Sequence, residues 1–202
     1  VGWAICPSAP PRIYPILTIP GQSGRMTEYR RLRLPGATYF FTLCLETRGS
    51  TVLLDEIAAL RRAYAATLRE LPALCPAMVI LPDHLHAIWT EPEGAVLYSE
   101  RWRRIKARFS RALEGDHAPN PSKQAKRERG LWQRRFWEHA IRNEGEFLAA
   151  MEYCRTNPVK HGLVADAGQW EFSSFTRRMG NLPIPALGKD GQIAHPTDTL
   201  DC

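Results

Sequence analysis

The 202-residue chain is 44% apolar and 24% charged, with a net charge of +6 and an isoelectric point near 9.3. That length suits one domain with a proper core, and the apolar fraction is ordinary for a soluble protein. No apolar run approaches the roughly 20 residues that span a bilayer, no membrane partner is expected, and the positive charge points to an anionic one.

The first 25 residues carry five Pro and lack a basic n-region, so 1–25 reads as a flexible extension rather than a signal peptide, with the functional chain starting near Met26. Ala37 to Leu45 is rich in β-branched and aromatic residues and predicts a strand. Val52 to Leu71, rich in Ala, Leu and Arg, predicts one long amphipathic helix. Ala77 to Leu81 and His84 to Thr90 predict two further strands paired across Pro82-Asp83. The succession of strand, helix, strand, strand, helix and helix predicts an α+β fold. Its core is expected to be a central antiparallel sheet of ferredoxin-like or RRM-like type, flanked by helices, with the strand bearing His84 and His86 central and Tyr153 on a C-terminal helix.

Residues 101–135 hold twelve Lys and Arg against three Asp and Glu, a local +9 that leaves −3 to the rest of the chain. Such a segment is an electrostatic footprint for a phosphate backbone. Arg101, Arg103, Arg104, Lys106, Arg108 and Arg111 alternate helically with Trp102, Ile105, Phe109 and Leu113, which predicts a basic face over a core-facing stripe. Trp102 and Phe109 are expected in the core. Gly115 to Gly130 follows as a loop bearing Lys123, Lys126, Arg127 and Arg129, expected to be mobile until DNA orders it. Trp132, Arg134, Arg135, Phe136 and Trp137 then interleave rings with guanidinium groups, a pattern suited to single-stranded nucleic acid.

Asn143 to Asn157 reads as a helix, with Asn143 as N-cap, Glu146 placed to close a capping box, and Pro158 forcing a stop at Asn157 or just beyond. Its apolar stripe is Phe147, Met151 and Cys154 with Leu148 on the flank; Tyr153 and Asn157, at i and i+4, share the opposite face. From Asn181 the Pro- and Gly-marked residues 181–202 read as a disordered tail. Cys6, Cys44, Cys75, Cys154 and Cys202 form no C-x-x-C pair and are expected as reduced thiols of a cytoplasmic protein.

Chemistry enters at Pro82-Asp83-His84-Leu85-His86. In a strand, residues i and i+2 share a face, so His84 and His86 stand side by side roughly 7 Å apart at Cα, able to converge on one cation. Histidine pairs also occur as surface or hydrogen-bonded core residues, and a lone H-x-H is a weak signal. A tyrosine off the apolar stripe equally suits a helix–sheet interface with its hydroxyl at the edge. A tyrosine hydroxyl has a pKa of about 10 and attacks a phosphodiester only when the phosphorus is made more electrophilic. A divalent cation held by two histidines and an amide oxygen does that, and Asn157, one turn from Tyr153, is the natural third ligand.

Several separated strings appear in one order: Met26 to Arg31; Leu81 to His86; Leu131 to His139; Tyr153-x-x-x-Asn157-Pro158-Val159-Lys160-His161-Gly162; and Trp170 to Phe175. Together they resemble the REP-associated tyrosine transposases, relatives of the single-tyrosine transposases with a histidine-hydrophobic-histidine motif, over about residues 26–178. The resemblance implies His84 and His86 as paired metal ligands, Asn157 completing the shell with Mg or Mn, and Tyr153 as the nucleophile forming a 5′-phosphotyrosine link. It implies cleavage and rejoining of single-stranded DNA at the foot of hairpins formed by repetitive extragenic palindromes, by a nucleoid-associated monomer or homodimer occupying 26–180. Trp170 to Phe175 departs from the family, which usually has Pro after the Trp and ends in Tyr; that touches packing or DNA contacts rather than chemistry.

Two other classes compete. A domesticated protein that binds DNA hairpins without cutting is disfavoured because positions 84, 86 and 153 keep reactive side chains. A phosphoesterase using histidines as acid and base usually needs two H-x-(Ser/Thr) motifs, and His86 is followed by Ala87. Relaxases and replication initiators share the histidine pair but rank lower, since no second tyrosine stands beside Tyr153.

Overall fold

The computed structural model describes residues 33–113 and 130–176. Along them run β1 (Thr38–Cys44), α1 (Val52–Asp55), α2 (Ile57–Glu70), β2 (Leu74–Ile80), β3 (His84–Thr90), α3 (Tyr98–Ala112), β4 (Trp137–Ile141), α4 (Glu144–Lys160) and a 3₁₀ turn, Ala167–Gln169. The expected extension at 1–25, the tail at 181–202, and Lys123, Lys126, Arg127 and Arg129 lie outside the described residues.

The strands form one antiparallel sheet in the order β2-β3-β1-β4, a ferredoxin-like β-α-β-β-α-β succession with α4 added. The histidine-bearing β3 is interior, as expected. Strand β4 was not anticipated. Its five residues are too few for a legible alternation, and it gains its register from β1, where Trp137 opposes Thr42 and His139 opposes Phe40.

Strand alternation divides the core between two faces. Tyr39, Phe41 and Leu43 of β1 and Leu85, Ala87 and Trp89 of β3 pack under α2 and α3. Here Trp89 and Trp102 stack with centroids 3.9 Å apart and planes within 11°. Burying rings of this size is worth roughly 2–3 kcal/mol each. The helix expected over 52–71 breaks at Glu56, whose φ of −107° leaves the helical region; Leu53 and Leu60, on either side of the break, are both buried in this core.

Arg101, expected on the DNA-facing surface of α3, is instead fully buried. Its guanidinium pairs with Glu91 and donates to the carbonyls of Leu71 (2.8 Å) and Pro72 (3.0 Å). A buried charge survives only when its donors are met within the fold, and Arg101 thereby ties α3 to the α2–β2 turn and the end of β3. Trp132 is likewise a core ring, packed edge-on to Phe109 at 5.7 Å beneath the Lys106 ammonium.

Helix α4 covers the other face, where Phe40, Ala77, Val79, Leu81 and Ile88 meet Ala150, Cys154 and Trp170. Asn143 caps it by accepting the Glu146 N–H, while the Glu146 carboxylate reaches the N–H of Arg142 rather than that of Asn143, a shifted form of the expected box. Leu148, placed on the stripe's flank, is 59% exposed, and Asn157, placed opposite the stripe, is buried in line with Ala150 and Cys154. Pro158 does not stop the helix. Its missing N–H costs one bond near the last turn, and the chain leaves the helix after Lys160 through Gly162 at φ +66°. The outer edge of β2 is clipped by 172–174, through Ile80 N–H to Phe172 O and Ser174 N–H to Met78 O, both 2.9 Å, with the Trp170 indole on Ile80 O.

Candidate active site

The ferredoxin-like helices leave one sheet face free of their packing, and His84 and His86 project from β3 onto that face, both 3% exposed. Their rings lie 5.1 Å apart, centroid to centroid. Above them Tyr153 of α4 meets His86 at 5.1 Å, and His161 at the helix end meets His84 at 5.1 Å. Residues 153, 157 and 161 follow one another at i+4, so Asn157 lies between these two contacts on the same helix face.

The imidazoles are oriented from behind. His84 Nδ1 lies 2.7 Å from Asp83 Oδ1, and because a carboxylate only accepts, that nitrogen carries a proton and Nε2 is the nitrogen turned away from Asp83. Burial pushes the Asp83 carboxyl up, but the His84 ring, the Gly49 N–H and Arg48 outweigh it and hold it down to about 2. His86 Nδ1 pairs with the Thr42 hydroxyl at 2.9 Å. Burial first, then the neighbouring His84 and His161, push His86 well below the ordinary imidazole value, so it is neutral. His161 is lowered by burial and by His84, against a smaller opposing pull from Asp83.

Three atoms of this cluster are buried without a hydrogen-bond partner among the described residues: His84 Nε2, His86 Nε2 and Asn157 Oδ1. An orphaned buried polar atom costs about 1–3 kcal/mol. Three such atoms lie in one cluster, and imidazole nitrogens with an amide oxygen are donor types that suit a divalent cation. Among the described residues no three His, Cys, Asp or Glu side chains are arranged to hold an ion.

Tyr153 is half-buried, its ring edge-on to Phe40 at 5.7 Å with the Lys160 ammonium 4.8 Å over its face. Tyr39, Tyr64 and Tyr98 are buried on the far side of the sheet, so Tyr153 is the tyrosine beside the histidines among the described residues. The basic residues divide differently. Arg104 and Arg108 lie under the opposite face and pair with Glu70, Arg104 also with Glu100, while Lys106 donates to Gln133 O. Arg134 and Arg135 are exposed in the segment entering β4.

Sequence reasoning missed Asp83, Thr42, Lys160 and His161 as parts of this site. Asp83 was legible as a carboxylate adjoining His84. His161 was legible at i+8 from Tyr153, but the stop expected at Pro158 cut the helix before it. Thr42 lies 44 residues from His86 and carried no local signal.

No family model matches the chain. It is 41% identical over 165 residues to the REP-associated tyrosine transposase of Escherichia coli (strain K12), spanning 81% of this chain and 92% of that protein. It is 40% identical over 153 residues to a Haemophilus influenzae protein named for the same family, spanning 75% and 87%. A solved REP-associated tyrosine transposase bound to a REP hairpin superposes with a TM-score of 0.63 at 41% identity, covering 74% of this chain and 83% of that one.

Proposed function

The chain belongs to the REP-associated tyrosine transposases, and from that premise we propose that it cuts and rejoins single-stranded DNA at hairpins of repetitive extragenic palindromes, with Tyr153 as nucleophile. The observation that carries this reading is the grouping of three orphaned buried polar atoms, two of them imidazole nitrogens, directly beside a half-buried tyrosine. His84, His86 and Asn157 would hold a divalent cation, Mg or Mn, with Asp83 and Thr42 fixing the two imidazoles. The bound cation supplies polarisation of a phosphoryl oxygen and orientation of the phosphate for in-line attack.

The Tyr153 oxygen forms its bond to phosphorus as the P–O3′ bond breaks. The products are a 5′-phosphotyrosine and a free 3′ hydroxyl, the phenol proton ending on the departing 3′ oxygen through solvent. One ester replaces another, so the step is reversible and a second 3′ hydroxyl can reclaim the 5′ phosphate. Lys160, over the tyrosine ring, adds positive charge where anion develops.

The test is incubation of the full chain with hairpin oligonucleotides from its own genome carrying single-stranded flanks. A denaturation-resistant protein–DNA adduct that requires added Mg or Mn supports the reading. Binding without any adduct makes the protein a hairpin binder that does not cut, and an adduct formed in excess EDTA removes the cation from the proposal.

A further inference from the structure

Strand β4 carries a feature that the nucleophile and the cation cage do not use. Trp137 and His139, two residues apart, project onto the same face as the histidine pair, opposite Thr42 and Phe40. Their rings are parallel within 6°, with centroids 5.9 Å apart. Trp137 meets the edge of Phe40 at 5.8 Å, and Phe40 in turn lies 5.7 Å from the Tyr153 ring and 5.4 Å from His86. The ledge is therefore two ring contacts from the proposed nucleophile. Helix α4 packs on β2 and β3, and Trp137 and His139 remain half-buried, unlike the stacked Trp89 and Trp102 across the sheet. Glu146 holds His139 through Nε2 at 3.2 Å, which fixes the plane of the smaller ring. Exposed Arg134 and Arg135 precede the ledge and exposed Arg142 follows it.

We propose that Trp137 and His139 form a stacking ledge for an unpaired base of the single-stranded DNA beside the phosphate that Tyr153 attacks, with Arg134, Arg135 and Arg142 meeting the backbone on either side. The placement relative to the cut rests on the proposed function; the ledge itself rests on the ring geometry. Flat rings held in parallel and left partly open, bordered by guanidinium groups, match what a base and its flanking phosphates present, and a base of any identity can extend such a stack. The stack selects for single strand, because a base paired in a stem has both faces occupied.

The test uses hairpin oligonucleotides with a ten-nucleotide single-stranded flank in which one abasic site is walked through the flank. Binding is measured for the full chain and for its Trp137→Ala, Trp137→Phe and His139→Ala variants. In the wild type, removing the stacked base lowers affinity about 5- to 150-fold at one or two positions beside the cut. Trp137→Ala shows that loss on the intact strand and no further loss at those abasic positions. Trp137→Phe regains most of the affinity, and His139→Ala gives a smaller loss at the same positions, which a general folding defect does not reproduce. Additive effects of the abasic site and Trp137→Ala overturn the proposal, as does a concentration-dependent dimer lost in Trp137→Ala, which assigns the ledge to a second copy. Adduct formation by the wild type on the intact strand is read in parallel: coupling without an adduct leaves the ledge and removes the cutting, whereas an adduct without coupling does the reverse.

Discussion

The two faces of one sheet have been put to opposite uses. Under α2 and α3 the sheet is an aromatic core in which the fully buried Arg101 has Glu91 and two backbone carbonyls as partners. The polar atoms left over there include indole N–H donors such as Trp89 Nε1 and Trp102 Nε1, dispersed over large rings. Under α4 the leftovers are His84 Nε2, His86 Nε2 and Asn157 Oδ1, gathered at one place beside Tyr153. The first face pairs its buried charge within the fold and scatters its remaining polar groups. The second keeps them unresolved and held in position, which is destabilising by several kcal/mol until something binds. Binding sites are built at such a cost.

Changes that separate the faces should separate stability from chemistry. The largest expected effect is on the α4 face: Tyr153→Phe removes the nucleophilic oxygen and lowers adduct formation by on the order of 10³ or more, with hairpin affinity changed less than about threefold. Residual adduct in that variant, read on a denaturing gel, moves the nucleophile elsewhere.

On the opposite face Arg101→Met leaves Glu91 buried and unpaired and should cost about 3–5 kcal/mol in urea unfolding. If Arg101→Met instead folds normally and only weakens DNA binding, the division of labour between the faces is wrong.

Asn157→Leu sharpens the contrast within a single residue. It should stabilise the protein by about 1 kcal/mol in EDTA, by removing an orphaned buried oxygen, yet weaken cutting about 10- to 100-fold at low cation concentration, with recovery at high. A variant that is both less stable and insensitive to added cation makes Asn157 a packing residue.

The smallest effect expected is on pH. Burial depresses the folded-state values of His86 and His161 below 6.5. Below that value the unfolded chain takes up protons that the folded chain refuses, so stability in EDTA is retained above about pH 6.5 and declines as the pH falls. His86→Phe should flatten the decline. Unfolding midpoints that stay level between pH 7 and 5 in the wild type refute the burial argument.

Much of this arrangement was written locally in the chain. Alternation placed His84 and His86 on one face of a strand, the Asn143 cap fixed the start of α4, and i+4 spacing aligned Tyr153 with Asn157, since each depends only on backbone periods of two or 3.6 residues. Where the local signal failed, the deciding contact came from far along the chain. Arg101 and Trp132 carry the residue types of a nucleic-acid surface, and only the packing of α3 on the sheet, with Glu91 ten residues away and Phe109 across the core, made them interior. Hydrophobicity found the stripe of α4 that packs on the sheet, Phe147, Met151 and Cys154, but not the polar Asn157, which is buried with Ala150 and Cys154 over a sheet face that bears histidines. Strand β4, its Trp137–His139 stack and the Thr42 partner of His86 exist only through the register of β1 against its neighbours. Periodicity determined which side chains travel together; long-range strand pairing and desolvation decided which of them meet.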